Sequence, residues 1–170
     1  MRYMEIGLLQ KSTLRIKGKT ASFVVNPQEA STANAVLLLN MENPYMTEES
    51  VVLSGAGEYE IGGVKITGLR TETNVLYSMN LEGVDVLVGS LKALTAMQHK
   101  TKEHNVLIVL CDEVADASFL TSLATNAVIF YGETAQQVAE GFEKEKLQKL
   151  NKFTTSLGKL SVEMETILLT

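Results

Sequence analysis

The chain has 170 residues, of which 45% are hydrophobic and 21% charged, which fits one soluble globular domain spanning 1–170 with a sizeable core. Its formal net charge of −5 argues against a broad nucleic-acid surface, because such surfaces work by neutralising phosphates. The apolar runs are too short for a bilayer helix of about 20 residues, the N-terminus does not read as a secretion signal, and the lone Cys111 predicts a reducing, cytoplasmic setting.

The first half reads as strands. Met4–Leu9, Thr13–Lys17 and Ala21–Asn26 are short apolar or alternating runs, with a hairpin signal at Lys17-Gly18-Lys19. Ala35–Leu39 is a continuous apolar run and predicts a buried strand. Val51–Ser54, Glu58–Ile61 and Val64–Leu69 follow, the last two joined by Gly62-Gly63. Val75–Leu81 and Val84–Gly89 are joined by Glu82-Gly83.

The second half changes period. Ser90 predicts the cap of a helix reaching about His104, with Leu91, Leu94 and Met97 on one stripe. Val106–Cys111 and Ala127–Tyr131 predict strands, with a short helix capped by Asp116 between them and Phe119, Leu120 and Leu123 turned inward. Thr134 and Gln137 have the spacing of a capping box. The helix they open would place Val138, Phe142 and Leu150 on one face, beside Ala139 and Leu147. Phe153–Thr155 and Val162–Leu168 close the chain as strands around Gly158. Strands first, then strand–helix alternation, predict an α/β domain of two packed sheets with outer helices.

The most informative segment runs from Gly55 to Gly68, with Gly55, Gly57, Glu58, Tyr59, Glu60, Gly62 and Gly63 in the pattern G-x-G-E-Y-E-x-x-G-V-x-I-x-G. It resembles the corresponding segment of small metallo-β-lactamase-fold hydrolases, in the branch similar to ascorbate-6-phosphate lactonases. The resemblance covers most of the chain and implies a minimal αββα sandwich. It also implies a metal site, and the chain departs from it at each ligand position. Where the family has Gly-His-Ser, this chain has Gln10-Lys11-Ser12. Where the family has Asp-Pro, it has Asn26-Pro27. The His-x-His-x-Asp-His motif falls on Asn40, Glu42, Pro44 and Tyr45. The family's Gly-Asp pair falls on Gly89-Ser90, and its last metal histidine on Tyr131.

Proline cannot ligate, and Asn40 offers only a weak neutral oxygen; zinc sites use imidazole, thiolate or carboxylate. Without the Asp, no base is left to handle a metal-bound water. The whole chain has two histidines, His99 and His104, so no shift of alignment supplies the missing ligands. On the predicted helix these two diverge by roughly 140° and read as helix-end surface residues.

Other groups have plain readings beside the chemical ones. Cys111, ahead of Asp112-Glu113, reads as a buried, inert strand-end residue rather than a nucleophile. Glu42, Glu58, Glu60 and Glu72 read as structural or solvated rather than a cluster for a hard cation. Lys144, Lys146, Lys149 and Lys152, interleaved with Glu140, Glu143 and Glu145, read as a solvated helix face. Met41, Tyr45 and Met46, in the place of the metal loop, either fill core or form an adaptable binding rim.

The expectation is a catalytically inactive, metal-free pseudoenzyme with no cofactor, acting as a structural or interaction module. It would engage a protein partner or a second copy of itself through a vestigial cleft of Lys11, Ser12, Asn40, Glu42, Tyr45, Ser90 and Tyr131. The alternatives are a metal-independent or differently metallated hydrolase in the same cleft, with Lys11 in reach of Ser12, Ser90 or Tyr131, and a small-ligand sensor.

Overall fold

Alternating and continuous apolar runs build two sheets in the computed structural model, which describes residues 2–170 apart from the side chain of Thr125. One sheet contains β1 (Met4–Gln10), β2 (Thr13–Lys17), β3 (Ser22–Val25), β4 (Ala35–Leu37) and β5 (Val51–Leu53). The other begins with β6 (Gly57–Ile61), β7 (Val64–Thr71), β8 (Asn74–Leu81) and β9 (Val84–Ser90) and continues with β10 (His104–Leu110) and β11 (Ala124–Tyr131). The chain ends in β12 (Gln148–Leu150), β13 (Lys152–Thr155) and β14 (Glu165–Leu169). The first sheet has the order β13-β1-β2-β3-β4-β5 and the second β12-β14-β11-β10-β9-β8-β7-β6. The second sheet is antiparallel from β6 to β9 and parallel through β9, β10, β11, β14 and β12.

The alternation along β10 explains its unbroken hydrophobicity. Val106, Ile108 and Leu110 face the first sheet, where they join Ile6, Ile16, Phe23, Leu37 and Tyr77 in the inter-sheet core. Leu107 and Val109 face the other way, into a second core under the helices. A strand covered on both faces has no polar side to show. That second core is closed by α1 (Leu91–Met97), a 3-10 turn at Ser118–Ser122 and α2 (Ala135–Phe142). The two packed sheets with outer helices are as the sequence predicts. Both helices lie on the second sheet.

The outside of the first sheet is covered by irregular chain instead. The parallel pairs β3–β4 and β4–β5 require crossovers. Val24 and Val36 are fully buried but stand outside the inter-sheet core. An Arg15 guanidinium nitrogen donates to Thr32 O at 3.4 Å, and Ser50 Oγ donates to Ala33 O at 2.9 Å, pinning the crossovers there.

The chain changes sheet at both sides. Ser54–Ala56 leads from β5, an edge of the first sheet, to β6, an edge of the second. Asn151 joins β12 to β13 across the opposite edges. At the first corner Tyr59 Oη donates to Gly55 O at 2.9 Å. A Cβ at Gly68 would stand 2.6 Å from Gly55 O, so only glycine allows the two backbones to approach. Gly62 and Gly63, with φ of 58° and 80°, make the two-residue turn between the paired Ile61 and Val64.

Several helical expectations are corrected. Ser90 does cap α1, accepting from Ala93 N at 3.1 Å, but the helix stops at Met97, because Gln98–Thr101 carries no apolar residue to hold another turn on the core. His104 therefore begins β10 rather than ending a helix. Thr134 makes no side-chain capping bond, and α2 ends at Phe142. Leu147 packs on the helix-side core and Leu150 on the inter-sheet core, which one helical face cannot do. Lys144, Lys146 and Lys149 accordingly do not lie on a helix. The last strand begins at Glu165, not Val162, which is almost fully exposed. No helix among the described residues is long and apolar enough to cross a membrane.

Candidate functional site

The parallel strands end along one rim. Leu110 stands in register beside Ser90 on one neighbour and Tyr131 on the other. This brings Ser90, Cys111 and Tyr131, drawn from distant parts of the sequence, to one edge. Asn40 reaches the same end of the sheet, bridging to Asn74 at the start of β8.

Most of these polar groups are occupied in holding the fold. The Ser90 hydroxyl is buried and serves as the α1 cap. Asn40 Oδ1 accepts from Glu42 N at 2.8 Å, and its Nδ2 donates to Thr73 Oγ1 at 3.4 Å, closing the loop onto the β7–β8 turn. Asn43 Oδ1 accepts from Tyr45 N, so a second side-chain turn follows directly. Tyr45 Oη donates to Glu29 O at 3.3 Å, tying the loop to the crossover on the first sheet. Glu42 is exposed. Met41 and Met46 are also exposed, Met46 by 88%, so this loop presents a methionine rim rather than core filling at that position.

Tyr131 is the exception. Its side chain is completely buried in the inter-sheet core, and its hydroxyl has no hydrogen-bond partner among the described residues. Burial pushes its pKa up, with Cys111 and Asp112 adding to the shift. Cys111 is also buried, and burial with Asp112 nearby raises its thiol to about 12, so it holds its proton at neutral pH.

Lys11 and Ser12 turn between β1 and β2 at the side of this rim. Lys11 Nζ pairs with Glu133 Oε2 at 2.8 Å, both side chains well exposed. A cleft of about 470 Å³ opens beside the pair, lined by Leu8, Gln10, Gly132 and Leu169 as well as the two charges. Of the seven residues the sequence singles out for the rim, Lys11 lines this cleft; Ser90 and Tyr131 are buried away from it.

Among the described residues, no three His, Cys, Asp or Glu side chains gather to hold a metal ion. Glu58, Glu60 and Glu72 are exposed, the first two on β6 and the last in the β7–β8 turn. His99 is exposed as expected. His104 is corrected from surface to core: it is 3% exposed, with Nδ1 3.0 Å from Lys102 O and Nε2 2.8 Å from Ser78 Oγ. Its Nδ1–H donates to the carbonyl and its Nε2 accepts from the hydroxyl, the neutral arrangement. Burial lowers its pKa; the hydrogen bond to the Lys102 carbonyl opposes this, the Lys102 charge lowers it further and Asp85 raises it, with burial prevailing. β10 begins two residues before the apolar run, at polar His104 and Asn105, where its register with β11 shifts, so no apolar signal marks this strand start.

No protein-family profile matches the chain, and no curated protein matches it in sequence. Solved structures do match. A protein from Thermotoga maritima, described as a zinc-dependent hydrolase of the metallo-beta-lactamase superfamily, aligns over 98% of each chain at 17% identity and a TM-score of 0.74. Igni18, a metallo hydrolase from Ignicoccus hospitalis, aligns over 91% of this chain and 99% of its own at 7% identity and a TM-score of 0.61. YhfI from Bacillus subtilis, a metallo-beta-lactamase-fold protein, aligns over 100% and 97% at 8% identity and a TM-score of 0.57. At these identities the likeness establishes the fold, which is the metallo-β-lactamase fold.

Proposed function

We propose that this chain is a metal-free protein of the metallo-β-lactamase fold that acts by binding rather than hydrolysis, as a structural or protein-interaction module in a reducing compartment. The observation that carries the reading is the state of the rim. Where the sequence resemblance to the lactonase-like branch puts metal ligands and their supports, the chain uses Asn40 to close a loop, Ser90 to cap a helix and Tyr131 to fill the core. None of these offers the imidazole or carboxylate set that activates a water. The exposed Met41 and Met46 support a contact role for the neighbouring loop. Co-purification from the native cell, with assay against esters, lactones and phosphodiesters with and without added zinc, tests the reading. A stable protein partner and no zinc-dependent turnover is the expected result; zinc-restored hydrolysis would overturn it.

The cleft beside Lys11 and Glu133 favours a second reading, a sensor that holds a small molecule without converting it. A thermal-shift screen over a broad metabolite panel decides it, because a ligand bound at 100 times its Kd adds about 2.7 kcal/mol of stability. No stabilising compound would count against the sensor.

A further inference from the structure

From the edge of the second sheet we propose a specific docking mode, strand addition to β6 by a partner segment alternating basic and apolar residues. It rests on the binding-module reading. β6 is regular from Gly57 to Ile61, with no bulge against β7 and no proline. The other sheet edges are shorter: β5 and β12 have three residues and β13 four. Because a two-residue turn joins Ile61 to Val64, the pairs Ile61–Val64, Tyr59–Ile66 and Gly57–Gly68 exchange the ladder bonds. The N–H and C=O groups of Glu58 and Glu60 therefore face outward. No backbone bond joins them to the rest of the described chain, and both residues are exposed.

The two faces of this edge specify the occupant. Tyr59 and Ile61 are half-buried and pack on the inter-sheet core, so an added strand extends that core with apolar residues beside them. Glu58 and Glu60 point to the opposite face, where their neighbours on β7 are Thr67 and Lys65. Lys65 offsets one of the two carboxylates, and the excess negative charge selects lysine or arginine opposite them. The chain's net charge of −5 acts in the same direction. A second copy is the wrong occupant. Two-fold antiparallel pairing about Tyr59 sets Glu58 against Glu60, and pairing about Glu58 sets it against itself; like charges directly opposite are destabilising.

The test is fluorescence anisotropy of the full chain with a labelled, end-capped octapeptide alternating lysine and valine. In the antiparallel register the lysines exchange ladder bonds with Glu58 and Glu60, so the peptide N-methylated at its lysines should bind at least about tenfold more weakly. The variant Glu58→Lys with Glu60→Lys, its fold checked by circular dichroism, should lose about tenfold or more for the lysine peptide and gain binding to a glutamate–valine peptide. Equal binding of the N-methylated peptide overturns the proposal, since charge alone would explain it. Absence of binding by the lysine–valine peptide also overturns it. Either failure leaves the binding-module reading standing if the protein is metal-free and partner-bound; zinc-dependent hydrolysis is what removes that reading.

Discussion

Two buried tyrosines stand in opposite hydrogen-bonding states, and removing their hydroxyls should have opposite effects. The Tyr77 hydroxyl lies 3.0 Å from Leu38 O and 2.9 Å from Leu53 O, linking the second sheet to β4 and β5 through the core. Leu53 O also accepts from Leu38 N at 2.9 Å, so it keeps a partner when the phenol is lost. Tyr77→Phe therefore removes one buried hydrogen bond and leaves the Leu38 carbonyl poorly satisfied, at a cost of about 1–3 kcal/mol. For a chain of this size that lowers Tm by roughly 2–12 °C. The Tyr131 hydroxyl is equally buried but has no described partner. Tyr131→Phe removes a desolvated group that gains nothing, and should change stability by about zero to +2 kcal/mol. Urea unfolding at pH 7, with the slope unchanged between variants, reads both values directly. A loss of 1 kcal/mol or more in Tyr131→Phe would refute the reasoning. It would mean that the phenol has a buried partner, and that the rim at this point is a site rather than filling.

Three further outcomes follow from the same geometry. The folded pKa of His104 lies below its unfolded value near 6.5, so the unfolded chain binds the proton first. The stability from neutral His104 is fully present above about pH 6.5 and is lost as pH falls towards the folded pKa; a urea-midpoint profile from pH 8 to 5 should show this slope, and His104→Asn should flatten it. Gly68→Ala should cost about 1–3 kcal/mol because the new Cβ meets Gly55 O at 2.6 Å, whereas Gly141→Ala, in α2 with nothing within 4 Å, should stabilise by about 0.5–1 kcal/mol. Thermal melts that rank the two alike would contradict the packing at the corner. Cys111, buried with its thiol raised to about 12, should resist a disulfide reagent at pH 8 until the protein unfolds. Rapid labelling of the native protein would show that the end of β10 opens.

The sheets were legible because their signals are local. The Gly62-Gly63 turn sits between alternating strands, and the apolar run at Val106–Leu110 is long enough for burial on both faces. Helix ends were less legible: α1 stops where Gln98–Thr101 offers no apolar residue to the core, but α2 stops at Phe142 although leucines at helical spacing continue beyond it. Leu147 and Leu150 have helical spacing, yet they pack on opposite faces of that sheet as the chain passes round its edge. The scarcity of histidines was plain from a count. That Lys11 would find Glu133, and that the Tyr131 hydroxyl would have no hydrogen-bond partner among the described residues, depended on how distant segments meet. Sequence order carries no signal for either.

Elemental analysis of the full chain, expressed with zinc supplementation and purified without chelator, tests the central claim most directly. The account predicts zinc, iron and manganese each far below one equivalent per chain, because the rim side chains at Asn40, Ser90 and Tyr131 are committed to the fold. A stoichiometric metal that survives gel filtration would contradict it, and would show that this rim still assembles a metal centre.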